Sequence, residues 1–261
     1  LIVGLTQYLL GFLLLRPRLS SAGLPPLLDA PHFALLSLDT MLIAAAGYLI
    51  NDLIDQETDA ANRPEQQILG RRWSLRTGWV LYISFTLAGF LLTLYLGLQT
   101  ENLPLVILHP LATLLLALYS LRWKGLPLLG NLVVALFCAL VPGIVLLAER
   151  RALQAYLAQT DAWTDPLALL AGGFLLFSLL TTLYREVIKD LEDREGDRRA
   201  GLRTLPVAWG VPAAKGAALL WAALTLALLL FAAAFEWLRG RPALSVFVQI
   251  ALLLPLAWSM H

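Results

Sequence analysis

Two stretches of this chain repeat one spacing of aspartates, D-x2-D-x3-D, and each follows a long apolar run. The last two aspartates of each stretch are four residues apart, so on a helix they would share a face. Clustered carboxylates repel one another unless cations lie between them, and Mg²⁺ is usually held by a few carboxylates together with substrate phosphates. The spacing therefore predicts a site for Mg²⁺ and a diphosphate. The candidate metal ligands are Asn51, Asp52, Asp55, Asp59, Asp190, Asp193 and Asp197.

Basic residues stand close to these stretches in the sequence. Arg63 and Arg203 each follow one of them, and Lys124 lies in a short connection beside Arg122. Arginine binds phosphate oxygens through two parallel hydrogen bonds, and lysine acts as a point charge. We expect Arg63, Lys124 and Arg203, with Asn51, to bind the diphosphate; the alternative is that these cations only set membrane orientation. The predicted catalytic residues are Asp55, Asp59, Asp193 and Asp197.

The composition places the chain among membrane proteins. Of its 261 residues, 59% are hydrophobic and 14% are charged, and the mean hydropathy is +0.74. No segment alternates like a barrel strand, so we expect an all-α, polytopic transmembrane helical bundle. A span needs about 20 mostly apolar residues. The eight predicted spans are 1–15, 32–50, 77–97, 103–121, 128–148, 166–184, 211–234 and 243–259.

The basic residues also predict an orientation. With eight alternating spans, the connections 51–76, 122–127 and 185–210 share one side, which together with Lys215 holds 13 of the 19 lysines and arginines. Such residues are enriched in cytoplasmic loops, so the acidic motifs are expected on the cytoplasmic side of the cell (inner) membrane. A net charge of +1 without a basic tract predicts no nucleic-acid partner, and no obligate protein partner is inferred. Residues 1–261 are expected to form a single transmembrane domain, trimmed at both ends.

Polar residues within the spans are less specific signals. Polar groups at membrane depth tend to face the bundle interior, so Asp39 could be functional; the alternative, which we favour, is that it finds a partner near the outer interface. His109 precedes Pro110 and is expected to be a packed residue at a helix kink rather than a ligand. Asn131 stands early in the fifth span.

The motifs resemble those of the UbiA-type intramembrane prenyltransferase superfamily. The matching segments are N-D-L-I-D-Q-E-T-D at 51–59 with N-R-P at 62–64, Y-S-L-R-W-K at 119–124, and D-L-E-D-R-E-G-D at 190–197 running into G-L-R-T-L-P at 201–206. The resemblance implies nine helices around a central cavity capped by the motif loops, so a ninth span is expected beyond this chain. It also implies Mg²⁺-dependent transfer of a prenyl group from an isoprenyl diphosphate to a hydrophobic acceptor in the bilayer.

The implied mechanism is ionisation of the bond between C1 and the diphosphate, followed by attack of the acceptor in a cavity that excludes water. The run A-A-A-G-Y at 44–48 and the segment R-E-V-I-K-D at 185–190 are most similar to the geranylgeranylglycerol-phosphate geranylgeranyltransferase branch, which predicts a lipid acceptor of that type. The alternative acceptor is a quinone or aromatic precursor. The alternative of another class is a cation-coupled transporter, which would carry its acids at mid-span rather than at span ends.

Overall fold

The computed structural model describes residues 2–56, 65, 67–160, 165–240 and 246. Within these residues the regular structure is helical, apart from an isolated bridge between Leu69 and Trp73, so the predicted all-α class is confirmed. The elements are α1 (Ile2–Tyr8), a π-helical segment (Leu9–Leu15), α2 (Arg16–Ser21), α3 (Ala30–Ile54), α4 (Leu75–Gln99), α5 (Leu103–Leu121), a 3₁₀ turn (Trp123–Gly125), α6 (Leu129–Ala148), α7 (Arg150–Leu157), α8 (Pro166–Arg199), α9 (Leu205–Ala208) and α10 (Val211–Leu238).

Six of the described helices are long and apolar enough to cross a membrane, namely α3, α4, α5, α6, α8 and α10. They coincide with the six central predicted spans. The first predicted span, 1–15, corresponds to α1 and the π-helical segment, which continue without a gap into α2 as one helical run over residues 2–21. The last, 243–259, lies outside the described residues except for residue 246. The total of eight or nine spans and the central cavity stay predictions.

Capping side chains determine where α3 and α4 begin. Asp29 precedes α3 and accepts a hydrogen bond from the His32 N–H at 2.9 Å. Ser74 precedes α4 and accepts one from the Thr77 N–H at 3.1 Å. Such bonds satisfy donors that the first turn of a helix leaves without an intrahelical partner. The hydrogen bond from the backbone of His32 also holds the pKa of Asp29 below its ordinary value.

Residues Leu1–Gly125 and Ala139–Gly172 form one compact group of helices. Helices α3, α4 and α5 pack against one another within it. Because α3 and α5 are in contact, the chain segments that follow these two helices can meet. The leucines buried most completely in this group are Leu15, Leu19, Leu28, Leu36, Leu96, Leu105 and Leu167.

A buried polar pair links α3 and α5. His109 Nδ1 lies 2.8 Å from Asp39 Oδ1, and His109 Nε2 lies 3.0 Å from the Thr86 carbonyl oxygen. Gly89 of α4 faces this pair, and a Cβ there would lie 2.9 Å from Asp39 Oδ1 and closer still to the His109 ring. The partner of Asp39 is therefore His109, and the lack of a side chain at Gly89 lets the three helices approach one another.

Buried polar contacts also tie the helix ends together on the side away from the first acidic motif. Glu149, between α6 and α7, is 2% exposed and accepts hydrogen bonds from the N–H groups of Leu27 at 2.6 Å and Leu28 at 3.1 Å. Asn102, at the start of α5, accepts a hydrogen bond from Arg150 Nε at 2.9 Å. These contacts fix the ends of α3, α5 and α6 relative to one another.

The second compact group comprises Leu126–Cys138 and Gly173–His261. In its described part, α8, α9 and α10 pack around a small core, where alanines on α10 allow close approach of the helices. Leu128, which precedes α6, packs on the same core with a φ of +61°, an uncommon value for a residue other than glycine. The buried residues of this core are Val187, Leu205, Ala214 and Ala218.

Candidate functional site

The first acidic motif lies at the C-terminal end of α3. Asn51 and Asp52 belong to its last turn. Ile50 and Leu53, which flank them in the sequence, are buried. Asp55 is the residue at which the helix ends, and its N–H donates to the Asn51 carbonyl oxygen at 2.9 Å. The apolar positions of the turn are anchored in the core, and this anchoring holds the polar positions in place.

Lys124 contacts this first motif directly. It lies in the 3₁₀ turn that follows α5, and its Nζ forms an ion pair with Asp55 Oδ1. The two side chains are 17% and 13% exposed, so the pair is largely shielded from water. The packing of α3 against α5 therefore brings together two oppositely charged side chains that the sequence assigned to the metal and to the diphosphate.

The chain returns to the end of α3 after the first motif. Gln67 Nε2 donates to the Gln56 carbonyl oxygen at 3.2 Å and lies 3.0 Å from Gln56 Oε1. Gly70 has a φ of +86°, and a Cβ there would lie 2.7 Å from Gln56 Oε1. Glycine suits this turn both because of its left-handed backbone and because of the close approach of Gln56. Asp59 and Arg63 lie outside the described residues.

The second acidic motif lies within the long helix α8, where Asp190, Asp193 and Asp197 share one face. The outer two carboxylates each accept a hydrogen bond of 2.9 Å from an uncharged donor. Asn131 Nδ2 donates to Asp190 Oδ2, and Thr204 Oγ1 donates to Asp197 Oδ2. Both donors are buried and belong to the same compact group as this part of α8.

Glu186 is a further acidic residue of this face that the predicted site omitted. It lies one turn before Asp190, is 5% exposed, and accepts a hydrogen bond from Arg185 at 2.8 Å. Its four-residue spacing from Asp190 could have identified it in the sequence. Asn131 and Thr204 carry no such signal, because their contacts depend on how α6 and the segment after α8 pack.

Arg203 lies exposed in the segment that joins α8 to α9. Gly201, with a φ of +73°, follows the end of α8, and the Leu202 N–H donates to the Asp197 carbonyl oxygen at 2.9 Å. This turn directs the chain back so that Thr204 reaches Asp197. The guanidinium of Arg203 is left accessible near the motif end of α8.

The described acidic residues suit Mg²⁺ chemically. Carboxylate and amide oxygens are hard ligands, and Mg²⁺ in proteins is usually held by one or two carboxylates completed by water and phosphate oxygens. Among the residues that the structure describes, no three His, Cys, Asp or Glu side chains converge into a cluster that could hold a metal ion. The carboxylate and amide oxygens present are of the kind that Mg²⁺ takes together with water and phosphate oxygens.

The chain belongs to the UbiA prenyltransferase family, whose family model matches residues 6–261. Among curated relatives, the digeranylgeranylglyceryl phosphate synthase of Methanopyrus kandleri is 35% identical over 173 residues, which cover 65% of this chain and 55% of the relative. The chain spans about half the length of the curated relatives it matches.

Solved structures share the fold. The apo structure of a UbiA homolog from Aeropyrum pernix K1 matches with a TM-score of 0.60 at 18% identity, covering 99% of this chain and 97% of that one. The structure of a UbiA homolog from Archaeoglobus fulgidus bound to DMAPP and Mg²⁺ matches with a TM-score of 0.56 at 19% identity, covering 94% and 85%. The match to the family model confirms the resemblance inferred from the motifs.

Proposed function

We propose that this chain is a Mg²⁺-dependent prenyltransferase that transfers an isoprenyl group from an isoprenyl diphosphate to a hydrophobic acceptor in the bilayer. The observation that carries the proposal is the contact of a cation, Lys124, with Asp55 of an acidic motif at the end of a membrane-length helix. Membership of the prenyltransferase family supports it, as does the binding of DMAPP and Mg²⁺ by the Archaeoglobus fulgidus homolog. A cation-coupled transporter receives no support from these comparisons.

The proposal assigns the carboxylates to the metal and the basic residues to the phosphates. Mg²⁺, when bound, supplies positive charge that stabilises the departing diphosphate. Lys124 exchanges Asp55 for a phosphate oxygen when the substrate binds, because a charged phosphate is a strong acceptor for its ammonium. Arg63 and Arg203 bind further phosphate oxygens. The proposed metal ligands are Asn51, Asp52, Asp55, Asp59, Asp190, Asp193 and Asp197.

Neutralisation of the diphosphate by these residues allows the bond from C1 to its oxygen to ionise. The bonding electron pair leaves with the diphosphate, and a nucleophilic atom of the acceptor attacks the allylic cation and loses its proton. Each motif stands towards the end of a membrane-length helix, α3 or α8. The phosphates can therefore remain at the polar end while the prenyl chain extends into apolar surroundings that keep water from capturing the cation.

The acceptor that we assign is a geranylgeranylglycerol phosphate lipid. The support is the similarity to the Methanopyrus kandleri protein, which is a digeranylgeranylglyceryl phosphate synthase, at 35% identity. Such a lipid carries a polar phosphate head and an apolar chain, which suits a site at the border between the aqueous phase and the membrane.

We also assign the motif side to the cytoplasm and the protein to the cell membrane. The excess of lysine and arginine on that side supports this orientation, since 13 of the 19 such residues belong to it when the spans alternate. This orientation is tested by labelling single cysteines placed in the connection between α3 and α4, both on sealed cells and on inverted vesicles. Labelling from outside intact cells would contradict the assignment.

The catalytic proposal is tested with membranes that contain the full-length protein. We expect release of diphosphate from geranylgeranyl diphosphate to require both Mg²⁺ and the glycerol phosphate lipid, and to be lost in Asp193→Ala. Glu192→Ala is the matched control, because this exposed residue is adjacent on the same helix but lies off the acidic face. Activity with an aromatic precursor and not with the lipid would contradict the acceptor assignment. Absence of diphosphate release with either acceptor would contradict the prenyltransferase proposal.

A further inference from the structure

We propose that Asn131 and Thr204 are positioning residues that hold the carboxylates of Asp190 and Asp197 in the orientations in which they bind Mg²⁺ ions. The inference rests on the proposed function of the second acidic motif. Each residue donates one hydrogen bond of 2.9 Å to a motif carboxylate. Both donors are 5% exposed, so water competes little for these hydrogen bonds.

The charge of the residue that holds a motif carboxylate affects how strongly that carboxylate attracts a metal. In the first motif the partner of Asp55 is the cation Lys124, which offsets the negative charge that attracts a metal. Asn131 and Thr204 are uncharged, so their own hydrogen bonds orient the carboxylates without adding a positive charge. A carboxylate offers about four lone-pair sites on two oxygens. One oxygen can therefore be held by the protein while the carboxylate ligates an ion, which is the arrangement by which outer partners orient metal ligands.

The conformation at the start of α6 places Asn131 beside Asp190. Leu128, just before the helix, adopts the left-handed φ of +61°, and its carbonyl oxygen accepts a hydrogen bond from the Leu132 N–H at 2.8 Å. That conformation is unfavourable for a residue other than glycine. The Leu128 side chain packs on the core that contains Val187 of α8, and this burial offsets the cost. The same packing places the first turn of α6 beside the motif helix.

The conformation of the segment after α8 places Thr204 beside Asp197. The chain turns at Gly201, whose φ is +73°, and Leu205 and Pro206 are buried immediately after Thr204. The turn is therefore anchored on its far side by apolar packing. The Thr204 hydroxyl is thus held at Asp197, which is itself 8% exposed.

Together the two donors hold the first and last aspartates of the second acidic motif. Asp190 and Asp197 are seven residues apart, which corresponds to two helical turns and a rise of about 10 Å. Asp193 lies between them on the same face. Rotation of either outer carboxylate would change the spacing of oxygens along this face, and Mg²⁺ demands near-ideal octahedral geometry.

The test compares variants that remove the donor with variants that keep it. Asn131→Leu and Thr204→Val preserve side-chain volume and remove the hydrogen-bond donor, whereas Thr204→Ser retains a hydroxyl. Leu132→Ala, an exposed neighbour of Asn131 on α6, is the control for disturbance of that helix. The full-length protein in lipid nanodiscs is titrated with Mn²⁺ in the presence of inorganic diphosphate, and binding is followed by electron paramagnetic resonance.

We expect Asn131→Leu and Thr204→Val each to weaken Mn²⁺ binding by about 10- to 100-fold, the range found when outer partners of metal ligands are removed. Thr204→Ser and Leu132→Ala should bind Mn²⁺ as the wild type does. The Mg²⁺ concentration needed for half-maximal activity should rise in parallel, because the defect lies in metal binding. Thermal unfolding without metal separates this effect from a folding defect. If Asn131→Leu fails to fold, the comparison of Thr204→Val with Thr204→Ser still tests whether the hydroxyl positions the carboxylate of Asp197.

Wild-type Mn²⁺ affinity in folded Asn131→Leu and Thr204→Val, with binding abolished in Asp193→Ala, would overturn the positioning roles and leave the proposed function intact. Equal loss in Thr204→Val and Thr204→Ser would also overturn the role of the Thr204 hydroxyl. Wild-type Mn²⁺ affinity in Asp193→Ala would instead refute the metal assignment of the second motif, and the inference would fall with it.

Discussion

Replacement of Asp55 by alanine distinguishes a role in catalysis from a role in stability. Asp55 ends α3 and pairs with Lys124, whereas Ile50 and Leu53 supply the buried face of that turn. The variant therefore removes an ion pair and leaves the core packing in place. Exposed pairs contribute about 0–1 kcal/mol, and breaking a fully buried pair costs about 3–5 kcal/mol. With side chains 17% and 13% exposed, and an ammonium that can regain water, we expect a loss of stability of about 1–2 kcal/mol.

The expected effect on turnover is larger. A ligand of the catalytic metal stabilises the charge on the leaving diphosphate by several kcal/mol. Since about 1.4 kcal/mol corresponds to a tenfold change in rate, a loss of about 4 kcal/mol lowers turnover roughly a thousandfold. The assay is Mg²⁺-dependent diphosphate release per folded molecule, with thermal unfolding measured on the same preparation. Glu101→Ala, which removes an 80% exposed carboxylate, is the control for general loss of negative charge.

Two results would refute this reasoning. If Asp55→Ala and Asp193→Ala both keep more than about a tenth of wild-type turnover, the loss is under about 1.4 kcal/mol and neither carboxylate is a ligand of the catalytic metal. If diphosphate release per folded molecule is unchanged and only the folded fraction falls, Asp55 acts through the stability of the α3–α5 contact and not through the metal.

Four further outcomes are expected. Lys124→Ala should raise KM for the isoprenyl diphosphate, because a phosphate contact is lost; an unchanged KM would leave Lys124 as only a partner of Asp55. Gly89→Ala should lower the free energy of unfolding by about 1–3 kcal/mol through overpacking against Asp39 and His109, whereas Gly173→Ala, which meets no atom within 4 Å, should not. Glu149→Ala should cost about 1–3 kcal/mol of stability, because the buried N–H groups of Leu27 and Leu28 lose their acceptor. Mg²⁺ with an isoprenyl diphosphate should protect 67–72 and 189–205 from hydrogen exchange more than Mg²⁺ alone, and equal protection by Mg²⁺ alone would separate these segments from diphosphate binding.

Local patterns in the sequence identified most of the described helices. Apolar runs long enough to span a bilayer predicted the six membrane-length helices to within a few residues at most ends. The main difference lies at α8, which continues to Arg199 and so contains the second motif, whereas the predicted span stopped at 184. Hydrophobicity marks where a helix leaves the membrane, but the hydrogen-bonded backbone can continue through polar residues. The four-residue spacing of Asp193 and Asp197, which on a helix places both on one face, agrees with this extension.

The tertiary contacts of the first motif could not be predicted from the sequence. Asp55 is the end of α3 rather than an interior position, so its neighbours are set by the segment that follows α5 and by the turn at Gly70. Neither the ion pair with Lys124 nor the approach of Gly70 corresponds to a regular spacing of residues in the sequence. The charge of Lys124 and its position in a short connection predict a phosphate ligand, whereas its contact with Asp55 is seen only in the folded chain. The roles of Asp59 and Arg63 stay predictions.

The sequence by itself determined the helical class, the apolar helices and the acidic spacing, because each depends on residues within a few turns of one another. Only the tertiary structure decided which group holds each carboxylate. Asn131 is 59 residues from Asp190, and His109 is 70 residues from Asp39, yet each pair is in hydrogen-bonding contact. A hydrogen bond tolerates only a few tenths of an ångström in its length. That degree of placement arises from many weak packing contacts between helices, summed over the whole fold, and no single stretch of the chain encodes it.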